Sequence, residues 1–215
     1  MAQRITFDNK VDLITTTAER INKSTAADWN EVKAAINDHA DIIEAGIGRT
    51  GWGAYRDTQY PDAENTFSLT ADTDTILPNN SATKIETQLP TDVETFVETI
   101  DLGTYEHSKI LGRTGDSIDA MLYFKAIPSS NDQWVDVWFN IGGDIGEIYR
   151  QTFTFPKGSG VTRSVVYALP SLYNLGTWQT NGATIYVRSN HTLQLFDIRL
   201  NVDRTHKARW VMLIP

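Results

Sequence analysis

Two different periods of apolar residues divide this chain near residue 50. Before that point, apolar positions recur at alternating spacings of three and four residues, the period of an amphipathic α-helix. After it, apolar and polar positions alternate one by one, which is typical of half-buried β-strands. The pattern therefore predicts a helical arm over residues 1–50 and a β-domain over residues 51–215. Glycines between residues 46 and 51 suit a hinge at the boundary.

The clearest helical pattern precedes Gly46, where the helix is expected to end. A break near residues 22–25 separates it from an irregular upstream series, so we predict two segments. A narrow apolar stripe cannot stabilise a short helix alone. The stripe packs either on the chain's own β-domain or, as its terminal position favours, on copies of itself in a parallel bundle. The predicted trimer seam consists of Trp29, Val32, Ile36, His39 and Ile43.

The β-domain is predicted to hold nine or ten antiparallel strands, because turn residues separate its alternating runs. A sandwich of the jelly-roll type is the commonest arrangement at this size. The alternation changes phase at Leu195–Phe196, which predicts a β-bulge there. The runs that are candidates for these strands lie near 52–60, 66–70, 83–89, 95–102, 118–124, 135–141, 153–155, 161–169, 185–187, 193–202 and 210–214.

Three tryptophans of the β-domain are candidates for contact with a ligand or another subunit. Trp134 and Trp138 share the side of their strand that faces away from the apolar side. Outward aromatic residues mark either a subunit interface or a platform for a ligand. Trp178 lies in a predicted loop, 173–182, that could hold a sugar ring together with loops 129–133 and 142–147. The alternative is that these indoles belong to the core or to an interface.

The His39 ring sits on the predicted seam, and it is interpreted as a packed or water-bonded histidine rather than as a ligand of an ion on a symmetry axis. No two of the four histidines have metal-ligand spacing, and no catalytic or phosphate-binding motif occurs. The chain has no cysteine, which excludes disulfides and cysteine catalysis. We therefore expect no catalytic residue, no cofactor and no metal site, and a protein that is not an enzyme.

The net charge of the chain and its distribution indicate which classes of partner to expect. The net charge of −8 argues against general nucleic-acid binding. Residues 51–110 carry 3 basic and 11 acidic residues, so the acidity is concentrated there. No run of about 18 apolar residues occurs, and the first residues lack the apolar core of a signal peptide. We expect no membrane association and synthesis in a cytoplasm.

Three segments resemble a known family. The segment Ile21–Asn37 is similar to the N-terminal arms of tailed-bacteriophage fibre and fibre-like virion proteins, in which an Asp-aromatic-Asn-Glu-hydrophobic-Lys block leads into a short coiled coil. The segments Gly51–Tyr60 and Asp197–Arg209 resemble the beginning and the end of the C-terminal β-domains of these proteins. The nearest likeness is to head fibres of crAss-like and related phages, and tail fibres share the layout.

The resemblance implies a homotrimer whose arm, residues 1–50, attaches to capsid or tail proteins and whose β-domain projects from the virion. The β-domains of this family are jelly rolls similar in outline to trimeric tumour-necrosis-factor-like heads. The protein would be made in the host bacterial cytoplasm, and its β-domain could bind a host-surface glycan. The alternative reading is a carbohydrate-binding module, a lectin-like jelly roll without catalytic activity, supported by the aromatic residues of the β-domain, Trp52 among them.

Overall fold

The computed structural model describes residues 30–37 and 50–207. The chain divides into two compact units, Met1–Gly48 and Arg49–Pro215. In the first unit, residues 30–37 form a helix, α1. In the second unit, one short helix, α2 (Gly176–Asn181), is described together with twelve strands. The strands are β1 (Gly51–Arg56), β2 (Phe67–Leu69), β3 (Thr75–Ile76), β4 (Thr83–Gln88), β5 (Val97–Asp101), β6 (Glu106–Ile110), β7 (Ser117–Pro128), β8 (Gln133–Asn140), β9 (Glu147–Phe155), β10 (Arg163–Tyr173), β11 (Ala183–Ser189) and β12 (Leu193–His206).

The strands form two antiparallel sheets. The front sheet has the order β10-β7-β12-β1-β4, with β2 paired to β12. The back sheet has the order β5-β6-β11-β8-β9, with β3 paired to β11. From β6 to β12 the chain passes repeatedly between the sheets, and long-range pairs such as β1 with β12 and β6 with β11 close the sandwich. This is the strand order of a jelly roll, so the predicted fold class is confirmed.

The hydrophobic core lies between the two sheets. Leu122 and Phe124 of β7 point inward from the front sheet, and Val137 and Phe139 of β8 point inward from the back sheet. The rings of Phe139 and Tyr167 lie 5.8 Å apart and join the two sheets directly. Strict alternation of buried and partly exposed residues along β7 confirms the period-two pattern read from the sequence.

The predicted bulge in the last described strand is shifted by a few residues. The pairing of β12 with β7 changes register between Phe196 and Arg199. Asp197, inside this interval, has a φ of 51°, a left-handed conformation that Asp tolerates better than most residues. As a result Leu195 and Ile198 both point into the core.

Three elements of the β-domain were not predicted. β3 has two residues, β6 has few aliphatic side chains, and α2 has six residues, too few to establish a helical period. The predicted strand over 210–214 and the predicted upstream helical segment lie outside the described residues, as do Trp29, His39 and Ile43 of the predicted seam.

Candidate interaction surfaces

Helix α1 carries the part of the predicted seam that the structure describes. Val32 and Ile36 are one helical turn apart on the same side of the helix. Both are exposed, to 48% and 45%. While these two β-branched side chains stay in water, they contribute no hydrophobic free energy to the fold. The stripe is therefore available for packing against another helix.

Trp178 belongs to the hydrophobic core, and its indole has no face open to a ligand. It is 1% exposed, lies within 6.1 Å of the Phe139 ring, and donates a hydrogen bond from Nε1 to the carbonyl of Ile110 over 3.1 Å. Residues 176–181 form helix α2 instead of an open loop, and this helix turns the indole inward. The sequence left open whether Trp178 contacts a ligand or belongs to the core or an interface, and the structure places it in the core.

Trp138 lies on the outward side of β8, but its faces are covered. The indole stacks on Tyr186 of β11 at 5.7 Å, and the Arg150 guanidinium lies 3.8 Å from the ring centroid. Arg150 is held there by ion pairs to Asp136 and Glu147 at 2.9 and 2.5 Å. The indole is 2% exposed, so this cation–π stack closes the site that the sequence offered as a ligand platform.

Trp134 is half-buried, and its backbone amide donates to the Asn190 side chain over 2.9 Å. The loop before it is fixed by Gln133, whose buried amide binds Ser189 Oγ and the carbonyls of His191 and Thr192. This loop therefore belongs to the end of the sandwich that also carries the β11–β12 turn.

The three candidate ligand loops do not form one surface. The loop over 142–146 contacts α2 at the opposite end of β8, where the Asn181 amide donates to the carbonyl of Ile141 over 3.0 Å. Thus the structure brings together the loops 142–146 and 173–182 and places the loop 129–133 at the other end of β8. It also separates Trp134 from Trp178.

The sequence interpretation missed the outward side of the front sheet, which is called the front face below. Cross-strand neighbours run across it in rows, for example Val166, Tyr123 and Arg199. In the adjacent row Met121 lies opposite Asn201, and Asn201 lies opposite Ala54. The front face comprises Trp52, Ala54, Arg56, Thr83, Ile85, Asp119, Met121, Tyr123, Lys125, Val166, Ala168, Arg199, Asn201 and Asp203.

The centre of the front face is apolar and open to solvent. Trp52, Ile85, Met121 and Val166 are between 40% and 50% exposed. Two shallow hollows of about 450 and 540 Å³ meet at Met121. Large apolar side chains gathered on one sheet face are a mark of an interaction site, whereas scattered ones are ordinary. One feature of the sequence could have indicated this face: Met121 and Tyr123 occupy positions of β7 that point outward, where polar residues are expected.

One edge of the front face is basic. Asp197 is 3% exposed, and three cations converge on its carboxylate. Arg199 pairs with it at 2.9 Å, Arg56 at 3.2 Å and Lys125 at 3.3 Å. One carboxylate neutralises only one of these charges, so the cluster keeps a positive excess of about two, against the sign of the whole chain.

The opposite edge carries two carboxylates in directly paired positions, Asp119 of β7 and Asp203 of β12. Burial raises the pKa of Asp203 above its ordinary value, and the charge of Asp119 adds to the effect. Like charges opposite one another weaken a strand pair. The front face is therefore basic at one edge, apolar in the middle and acidic at the other edge.

A buried ion network lies at one end of the sandwich. Arg204, 1% exposed, pairs with Asp92 at 2.5 Å and with Asp116 at 3.2 Å. Arg113 and Lys207 also bind Asp92. The bonds from Arg204 and Lys207 hold the pKa of the Asp92 carboxyl well below its usual range. The basic residues near the end of β12 thus have a structural function in tying that strand to the loops beside it.

Within residues 30–37 and 50–207, no group of three or more His, Asp and Glu side chains is arranged to hold a metal ion. In the same part of the chain, no helix has the length and apolar character that crossing a bilayer requires.

No protein-family model and no curated protein matches this chain. Several solved structures resemble it weakly. One is Eiger TNF from S. frugiperda, with 10% identity and a TM-score of 0.47, covering 75% of this chain and 96% of the other. Another is the PRD1 vertex protein P5, with 10% identity and a TM-score of 0.39, covering 74% and 73%.

A third is the C-terminal CBM6 of LamC from Zobellia galactanivorans, with 9% identity and a TM-score of 0.28, covering 63% and 98%. TM-scores below 0.5 at such identities carry no inference about function. The fold assignment rests on the strand order described above.

Proposed function

We propose that this chain is a structural virion protein of a tailed bacteriophage, a short homotrimeric fibre. Residues 1–50 attach it to the capsid or tail, and residues 51–215 display the jelly roll toward the host surface. The observation that carries the proposal is the exposed apolar pair Val32 and Ile36 on α1. A helix with such a narrow stripe needs partners, and copies of itself supply a matching stripe.

The two compact units, whose boundary in the chain follows Gly48, support separate functions for the arm and the β-domain. The resemblance of Ile21–Asn37 to phage fibre arms supports attachment through the first unit. The second unit is a rigid sandwich that can present a surface without any catalytic chemistry. The proposed partners are two further copies of the chain, a capsid or tail protein, and a host-surface glycan, with no nucleic acid and no membrane.

A truncation in the phage genome tests this proposal. A chain that begins at Gly51 should be produced and folded but absent from purified particles, because the attachment unit is missing. The matched control is the full chain with an equally large tag, which should be incorporated at normal occupancy. Incorporation of the truncated chain at the level of the full chain would contradict attachment through residues 1–50.

A second candidate function is carbohydrate binding by the β-domain, and one observation favours it. Trp52 is 40% exposed and lines the hollow of about 450 Å³ on the front face with Asn201, Asp119 and Asp203. An indole beside hydrogen-bonding groups is the usual arrangement for stacking a sugar ring. Saturable binding of a glycan that Trp52→Ala abolishes, without a change in melting temperature, would support it. Equal binding by the variant would exclude this hollow.

A further inference from the structure

The front face has the composition of a protein–protein interface. Interfaces are enriched in Trp, Tyr, Met and Arg at their centres, and the face presents Trp52, Met121, Tyr123 and Arg199 on adjacent strands. A small ligand would cover only part of it, because the two hollows lie side by side along the sheet. The exposed aliphatic side chains Ile85 and Val166 also favour a protein partner, since they offer a sugar no hydrogen bond and no aromatic face.

The charge of the face indicates the chemistry of that partner. The Asp197 cluster leaves cations in excess, with Arg56 and Arg199 about half exposed. A partner that brings carboxylates would neutralise this excess, whereas a basic partner would be repelled.

The chain itself supplies such a partner. Its residues 51–110 contain 11 acidic and 3 basic residues. Several of these carboxylates are exposed, among them Asp62, Glu64, Glu94 and Asp101. A basic edge on the front face and exposed carboxylates elsewhere on the same molecule suit a heterologous contact, in which the basic edge of each copy meets carboxylates of the next. Repeated around an axis, such contacts close into a ring.

We propose that the front face is the contact between β-domains in the homotrimer, and that the Asp197 cluster receives carboxylates from residues 51–110 of the next copy. This inference rests on the proposed trimer and assigns the surface through which its β-domains associate. The apolar centre, from Trp52 through Met121 to Val166, is buried by the contact, and the basic edge sets its register. Because the arms already join the copies, their β-domains meet at a high effective concentration. The contact between the β-domains therefore needs only a modest affinity.

Two valines of similar exposure provide a matched test in the full chain. Val166 on the front face is 50% exposed, and Val161, in the loop before β10, is 48% exposed. Val166→Glu should place an unpaired charge in the contact and raise the concentration at which the trimer half-dissociates by about tenfold or more. Val161→Glu should leave it unchanged. Sedimentation equilibrium over a range of concentrations measures both, and equal behaviour of the two variants would overturn the proposal.

Cross-linking of the unmodified protein gives a second, independent test. A carbodiimide joins a lysine amine to a carboxylate in contact with it, and trimers assembled from isotopically light and heavy copies reveal which links join two copies. Mixed light–heavy links from Lys125 to carboxylates within residues 51–110 are expected. Lys157, exposed outside the front face, is the control and should form none. Links from Lys125 only to Asp197 of its own copy would overturn the proposal.

Different results would contradict the trimer and the contact through the front face. A wild-type chain that is monomeric at all concentrations would contradict the trimer itself, and the assignment of the front face with it. A stable trimer with equal valine variants and no mixed links from Lys125 would leave the trimer standing and contradict only the front face.

Discussion

Single side chains explain how the sandwich excludes two of the three candidate tryptophans from ligand binding. The Trp178 indole fills the space between the sheets and satisfies its only donor on the Ile110 carbonyl. The Trp138 indole is enclosed between Tyr186 and Arg150. Aromatic residues outside the main apolar phase of a strand are therefore not necessarily free; the decisive factor is whether a long cation on the adjacent strand can reach over the ring.

Replacing Trp178 tests its core position. Trp178→Ala should lower the free energy of unfolding by about 3–5 kcal/mol, because it opens a large cavity and removes the hydrogen bond to the Ile110 carbonyl. Tyr173→Ala is the matched control, since Tyr173 is 60% exposed and lies in the same part of the chain, and its effect should stay within about 0.5 kcal/mol. Urea denaturation measures both. A loss below about 1 kcal/mol for Trp178→Ala would contradict the core assignment.

Protonation of His107 should make the fold sensitive to mild acid. His107 is 4% exposed, and its Nδ1 has no hydrogen-bond partner. Burial lowers the pKa of the imidazole below its ordinary 6.5, and the charge of Lys109 adds to the effect. The unfolded chain therefore takes up a proton at higher pH than the folded one, so stability falls as the pH falls through 6.5 toward the folded pKa.

The prediction is a decline in the free energy of unfolding between about pH 7 and pH 5 that His107→Gln reduces. His191→Gln is the matched control, because His191 is exposed. The low pKa of the Asp92 carboxyl acts only at more acidic pH, since protonation matters below its ordinary value of 3.8. An identical pH dependence in wild type and His107→Gln would contradict the prediction.

Elements differ in how far their sequences determine them. The long strands β7 and β8 could be predicted because their apolar side chains alternate over seven or more residues, from Ile118 and from Val135 onward. Strand β6 could not, since its buried residues include His107 and Ser108, polar side chains that only the tertiary structure places inside. The bulge in β12 was predicted from its change of phase, but its position at Asp197 was not. The ion pair of Asp197 with Lys125 joins residues far apart in the sequence.

The front face could not be predicted from the sequence for a similar reason. Its members come from five strands, β1, β4, β7, β10 and β12, which are far apart in the chain and become neighbours only through the strand order. Alternation showed that Met121 and Tyr123 point away from the core, but it could not show that Trp52 and Val166 join them.

Helix α1 gives a prediction at the level of one element. The double variant Val32→Asp, Ile36→Asp should abolish self-association of the arm and reduce its helical signal, because charges cannot be buried unpaired in a seam. Ala34→Asp changes an exposed residue of the same helix off the stripe and should have little effect. Sedimentation and far-ultraviolet circular dichroism measure the two properties. Unchanged mass and unchanged helicity in the double variant would show that the stripe is not a seam.

The whole molecule combines an arm with an apolar stripe and a jelly roll with an amphipathic outer sheet face. In the proposed trimer, further copies of the chain cover both of these surfaces. The proposed virion function needs this association, because a fibre with three arms binds its attachment site with the combined strength of three contacts. The proposed virion function therefore depends most on the number of chains in the assembly.

The mass of the full-length protein in solution is the most direct test of that number. Size-exclusion chromatography coupled to light scattering should give three times the chain mass of 24.1 kDa, and the value should hold on dilution into the low micromolar range. A stable mass of 24.1 kDa over the same range would contradict the trimeric fibre and favour the isolated carbohydrate-binding module.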